Sequence, residues 1–200
     1  MPALPAPEPA FRDPVRQSQT VFRLVMEAMA SPGRIVAVPS GLAPPAPLNG
    51  PAAALLLTLC DYETPVWLDE ALDETTDVAT FLRFHTGATL ARSPSDAAFA
   101  AIAAAAAMPP LSFFAQGTPA YPDRSTTLIV QVETLANDGW RLEGPGIRGS
   151  ARLRAAPLPA DFVDRLRVNR AAFPCGVDIF FASDRTIAAL PRSVRVSEAA

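Results

Sequence analysis

The run Pro51-Ala-Ala-Ala-Leu-Leu-Leu-Thr-Leu-Cys60 constrains the fold more than any other stretch, because it is almost without polar side chains and has no face to show to water. A helix of that composition is buried, and packing against a sheet is the way to bury it. The flanking sequence supplies the sheet. Asp13-Pro14 offers a cap and a proline at the first helical position, and Val15, Phe22, Val25, Met26 and Met29 recur at roughly helical spacing, which predicts a first helix. Ser31-Pro32-Gly33 ends it, and Arg34 to Val38 follows as a strand. Beyond the apolar run, Pro65 to Leu68 reads as a strand. Asp77 can cap a helix through Val78, Phe81, Leu82 and Phe84 that ends near Gly87, before a short strand from Ala88 to Ala91. Strand, helix, strand, helix, strand favours parallel pairing covered by helices, the α/β class.

The remainder is more strand-rich. Residues 97–107 read either as an alanine helix or, from Ala98 to Ile102, as a buried strand. Thr126 to Val132 is β-rich, and the Asn137-Asp138-Gly139 turn predicts a hairpin returning through Trp140 to Glu143. A short helix from Asp161 to Asn169 and strands at 177–181, 186–190 and 194–196 close the chain. Residues 1–10 carry four prolines among small residues and read as a flexible extended arm, which leaves 11–200 as one domain. A chain of 200 residues, half of them hydrophobic, is long enough to build a core without disulfides.

Several function classes are excluded on composition. All 17 basic residues are arginines, so Schiff-base chemistry, pyridoxal phosphate attachment and a phosphate-loop lysine are ruled out together. Net charge is −3 with no basic run, which argues against a nucleic-acid partner. Two charge-free stretches, 35–60 and 97–122, are long enough to span a bilayer, but prolines interrupt both, so no membrane partner is expected. The start of the chain has no basic residue before Arg12 and no apolar leader, which points to the cytoplasm. Cys60 and Cys175 sit far apart with no metal-ligand spacing and are expected as free thiols.

Chemistry-bearing residues are few. The single histidine, His85, lies at a helix C-terminus where the dipole favours its protonated form, and helix-terminal hydrogen bonding is its simplest role. Cys175 has Asp178 nearby but would need His85 as its base. Gly144-Pro145-Gly146, with Gly149, imitates a phosphate loop, although the proline removes a needed amide and a simple turn fits better. Asp61, Glu63, Asp69 and Glu70 around Trp67, continued by Asp73, Glu74 and Asp77, read as solvated loop charge.

Seven segments in order resemble the PhnH family, the H subunit of the bacterial carbon-phosphorus lyase core complex. They are FRLVMEAMASPG at 22–33, LTLCDYETPVWL at 57–68, LRFHT at 82–86, TLIVQV at 127–132, GPGI at 144–147, FPCGVD at 173–178 and LPR at 190–192. The resemblance implies a three-layer α/β/α sandwich with a mixed sheet, similar to the pyridoxal phosphate-dependent transferases but without that cofactor. It implies partners in the G, I and J subunits of the core complex, and a homodimer when the chain is isolated. That assembly forms alpha-D-ribose 1-methylphosphonate 5-triphosphate from ATP and an alkylphosphonate, and its radical iron-sulfur chemistry belongs to another subunit.

The expectation is therefore an accessory subunit with no cofactor, and with no catalytic or metal-ligating residue assigned to it. Arg23, Arg34, Trp67, Arg83 and His85 are the candidates for partner or ligand contact. A nucleotide- or phosphonate-binding enzyme whose arginines grip phosphate is the second expectation, and a homodimeric binding protein unrelated to phosphonates the third.

Overall fold

The computed structural model describes residues 10–39 and 41–198, so the arm expected at 1–10 lies, but for Ala10, outside the described residues. In chain order the elements are α1 (Pro14–Ala30), β1 (Val36–Ala37), α2 (Gly50–Leu59), β2 (Val66–Leu68), α3 (Glu70–Asp73), α4 (Thr76–Thr86), β3 (Phe99–Ile102), β4 (Thr127–Gln131), β5 (Thr134–Glu143), β6 (Ala151–Ala156), α5 (Phe162–Ala171), β7 (Asp178–Ala182), β8 (Thr186–Leu190) and β9 (Arg195–Ser197).

A six-stranded sheet in the order β1-β8-β7-β4-β3-β2 forms the centre. Strands β2, β3, β4 and β7 pair in parallel, and β8 pairs antiparallel with both β7 and β1, so a single strand runs against the rest. Alternation along the strands divides the core in two. Ala101, Ile129, Phe180 and Ile187 face one side, where α1, α2 and α4 pack. Ile102, Leu128, Val130, Ile179 and Phe181 face the other, where α5 and a separate antiparallel sheet, β6-β5-β9, lie. The architecture is a layered α/β fold with a mixed sheet. Its second outer layer is shared between one helix and three strands.

The apolar run is buried as its composition requires. Ala52 through Leu56 expose no surface, and Asn49 caps α2 by accepting from the Ala52 amide. Each buried leucine there contributes about 1.5–3 kcal/mol by the area rule. α1 begins at Asp13-Pro14 and stops before Ser31 as its signals dictate. Its buried residues are Val21, Val25 and Ala28, however, while Val15, Phe22 and Met26 of the expected helical series are exposed.

The connections carry an unusual feature. β2 reaches β3 through α3 and α4 on the first face, while β3 reaches β4 through residues 103–126, whose Met108, Leu111 and Phe114 join the core of the second face. Both connections step in the same direction between parallel strands, so they have opposite hands, and one is the rare left-handed kind.

Some expectations fail for identifiable reasons. The hairpin at Asn137-Asp138-Gly139 does not form: β5 continues through it, pairing with β6 on both sides (Ala136 with Arg154, Trp140 with Leu153), and residues 137–139 bulge out between. Tertiary contacts hold the bulge. The Asn137 amide donates to the Gly33 and Arg152 carbonyls, and Asp138 accepts both arms of Arg154. The true reversal is the Gly144-Pro145-Gly146 turn. The strand expected at 88–91 is reduced to one bridge from Leu90 to Val66, and Thr75 rather than Asp77 occupies the cap position of α4. Residues 99–102 are a strand, and 105–107 a single 3-10 turn. α3 sits in a stretch read as charged loop.

Candidate functional site

Trp67 is the middle residue of β2. Because Val66 and Leu68 turn into the core of the first face, Trp67 is sent to the second, where it meets Phe114 edge-on with ring centroids 5.7 Å apart. It lines a cleft of about 380 Å³ with Asp73 from α3, Arg83 from α4, and Leu90 and Arg92 from the following loop. Two of the five candidate residues, Trp67 and Arg83, are thus brought together. An aromatic flank with two guanidiniums and one carboxylate suits holding an anionic or planar ligand.

Asp69 fixes this end of the sheet. Its side chain is buried and accepts from the Ala103 amide at 2.9 Å, the Ala104 amide at 2.8 Å and the Leu72 amide at 3.2 Å, so one carboxylate joins the end of β3 to the first turn of α3. Burial pushes its pKa above the ordinary carboxylate value, and the three amides pull the other way without prevailing. Asp69 is therefore not the solvated loop charge the sequence suggested. The signal for it was positional: an aspartate immediately before a short helix is an N-cap. Asp61, by contrast, shapes an exposed turn, accepting from Glu63 and Thr64 and leaving Tyr62 at the tip.

The other three candidates lie apart from the cleft. His85 packs edge-on between Phe81 and Phe84, with centroids 4.7 and 4.9 Å away, in the last turn of α4. Arg34 pairs with Glu27 at 2.6 Å across the end of α1. Arg23 is exposed on α1 between Phe22 and Met26.

Cys175 is half-buried, and Asp178 is not available to it: the carboxylate is gripped by Arg192, with only 13% and 16% of the two side chains exposed. The same guanidinium donates to the Pro122 carbonyl and to Ser125 Oγ. Asn169 clamps Val177 on both sides, and a side chain at Gly176 (φ +113°) would meet Asn169 Oδ1 at 2.7 Å. The Cys175 region is a structural knot. Likewise Gly146 presses so closely on the end of α1 that a Cβ there would stand 2.2 Å from the Ala30 carbonyl oxygen, which accounts for the turn without any phosphate. Among the described residues no group of His, Cys, Asp and Glu is placed to hold a metal.

Residues 9–197 match the family described as bacterial phosphonate metabolism protein (PhnH). The chain belongs to the PhnH family. It is 41% identical over 188 residues to the alpha-D-ribose 1-methylphosphonate 5-triphosphate synthase subunit PhnH of Rhizobium meliloti (strain 1021), an alignment covering 94% of each chain. Several segments that carry the PhnH resemblance meet in space. GPGI at 144–147 packs on the end of FRLVMEAMASPG, and LPR at 190–192 ties into FPCGVD.

Proposed function

We propose that this chain is an accessory subunit of a carbon-phosphorus lyase core complex, needed for forming the ribosyl phosphonate triphosphate from ATP and an alkylphosphonate. The observation that carries this reading is the 41% identity, over 94% of each chain, with a relative that is itself named a synthase subunit. Its partners would be the G, I and J subunits, with a homodimer as the free form and the cytoplasm as its compartment. No helix among the described residues is long and apolar enough to cross a membrane. The parallel strands with one reversed neighbour support a likeness to the pyridoxal phosphate-dependent transferase fold.

The surface favours partner contacts in two places. On α1, Phe22 and Met26 are about half exposed (48% and 53%) with Arg23 between them, the aromatic-and-arginine mixture that interface centres use. At the end of α4, His85 adjoins the exposed Phe84, and Tyr62 projects near Gly87. Arg23, Arg34 and His85 are assigned here to partner contact, and Trp67 and Arg83 to a ligand or a partner side chain entering their cleft.

A tagged copy recovered from its native cells, starved of phosphate and given methylphosphonate, tests the reading. Recovery of the other core subunits in fixed proportion is the expected result, and a solitary chain would overturn it. Changing Arg23→Glu with Met26→Asp is expected to release the partners while circular dichroism stays unaltered. Unchanged recovery would remove α1 from the contact set.

A further inference from the structure

A second cleft, of about 420 Å³, opens between the C-terminal half of α5 and the outer strand β9 of the small sheet. No sequence motif pointed to it. α5 contributes Arg167 and Arg170, three apart and so on one side of the helix, β9 contributes Arg195 and Ser197, two apart and so on one side of the strand, and β5 contributes Glu143. The buried Val196 between them anchors β9 to the core.

The charges in this cleft do not cancel. Three guanidiniums line it against one carboxylate, in a chain whose net charge is −3, so the positive excess is local. The carboxylate of Glu143 is also already held by a fourth arginine, Arg141, at 2.7 Å. Arg167 has Asp164 as a partner at 2.6 Å on the helix surface. Arg170 lies 5.1 Å over the Phe173 ring, and its Nε–H is buried with no acceptor. A buried donor left unmatched costs free energy, but this nitrogen has no surface of its own for a molecule in the cleft to reach, so what Arg170 offers the opening is its charge. With their partners included, Arg141, Arg167, Arg170 and Arg195 face Glu143, Asp164 and about half a negative charge at the end of α5, so a positive excess remains.

We propose that this cleft binds the oligophosphate chain of a small phosphorylated molecule. Guanidinium forks match phosphate oxygens in pairs, and three of them around one opening suit several linked phosphates better than a single one. The volume falls within the range of small-ligand sites, about 300–1,000 Å³. The proposal goes beyond the subunit reading and stands on the cleft alone.

Calorimetry of the full-length chain with sodium tripolyphosphate at low ionic strength is the test, with inorganic phosphate and ATP as parallel arms. Saturable binding of tripolyphosphate is expected, about tenfold or more tighter than inorganic phosphate, weakening as salt is raised. Arg195→Gln, on an exposed edge strand, is expected to weaken it about tenfold, as is Arg170→Met. Arg185→Gln, in the exposed turn between β7 and β8 and outside both clefts, is expected to leave it unchanged. ATP binding at least as tightly as tripolyphosphate supports an oligophosphate site. No saturable binding at millimolar tripolyphosphate overturns the proposal, as does affinity unchanged by Arg195→Gln in a variant with unaltered thermal unfolding. Because partner recovery is measured separately, loss of either result leaves the other intact.

Discussion

Replacing Arg192 with methionine is expected to destabilise the fold by about 3–5 kcal/mol, the cost of breaking a buried ion pair by removing one partner. Arg192 Nε lies 3.1 and 3.2 Å from the two Asp178 oxygens, Nη2 bonds Asp178 Oδ2 and Ser125 Oγ, and Nη1 donates to the Pro122 carbonyl at 2.9 Å. One guanidinium thereby joins the second residue after β8 to the first residue of β7 and to the 122–125 turn. Methionine fills similar space but leaves the Asp178 carboxylate with only the Arg192 backbone amide, at 2.8 Å. Asp178→Asn keeps an acceptor in place and is expected to cost less, about 1–3 kcal/mol. Because the two residues share one network, the double variant should lose less than the sum of the single variants, with a coupling of about 2 kcal/mol. Urea unfolding followed by tryptophan fluorescence measures all four corners of the cycle. At this chain length the Arg192→Met change corresponds to a fall in Tm of about 6–20 °C. A loss under about 1 kcal/mol, or a coupling under about 0.5 kcal/mol, would show that the pair behaves like a solvated surface bridge and would refute the reasoning.

Asp69 gives a pH dependence of definite sign. Its pKa in the folded chain is raised above the ordinary 3.8, chiefly by burial, so the folded state holds this proton more tightly than the unfolded one. The stability it contributes is complete below about pH 3.8 and is lost as pH rises through the folded value. Parent minus Asp69→Asn, compared by urea unfolding from pH 4 to 7, should therefore shrink with rising pH; a difference that grows would reverse the assignment. Gly146→Ala is expected to cost more than about 3 kcal/mol, because the new Cβ meets the Ala30 carbonyl and the backbone is left-handed, whereas Gly149→Ala, with open space around it, should cost only about 1 kcal/mol; equal losses in thermal unfolding would refute the packing argument. Burial also pushes the Cys60 thiol well above its usual pKa, so iodoacetamide at pH 8 should label Cys175 alone in the native chain and both cysteines after unfolding, as mass spectrometry will read.

The parts of the fold that were legible share a cause: their signals are local. Asp13-Pro14 and Ser31-Pro32-Gly33 bound α1 because capping and breaking act within one turn, and the 51–60 run declares its burial by having nothing polar to expose. The bulge in β5 was illegible because Asn-Gly-type turn chemistry serves a hairpin and a bulge equally well. What decides between them is the hydrogen bond from Asn137 to Gly33, more than a hundred residues away in sequence. The exposed Phe22 and Met26 were hidden by the same limit: a helix pattern fixes which residues share a face, not which face meets the core.

For the sites the limit is sharper. Trp67 and Arg83 were singled out separately and converge only because β2 sends Trp67 to the face away from its neighbours Val66 and Leu68. Asp178 and Arg192, each inside a segment carrying the family resemblance, turn out to hold one another, so a segment with a cysteine, a glycine and an aspartate has the composition of a nucleophile site and the geometry of a fold anchor. The distinction lies in where the carboxylate's acceptor capacity goes. With both Asp178 oxygens spent on Arg192, none is directed at Cys175, and a hydrogen-bond count of that kind can be made only once the fold has brought residue 192 back to residue 178. Arg167, Arg170 and Arg195 show the converse. In the sequence they are scattered surface charges, and only the docking of β9 beside α5 turns them into one electropositive opening.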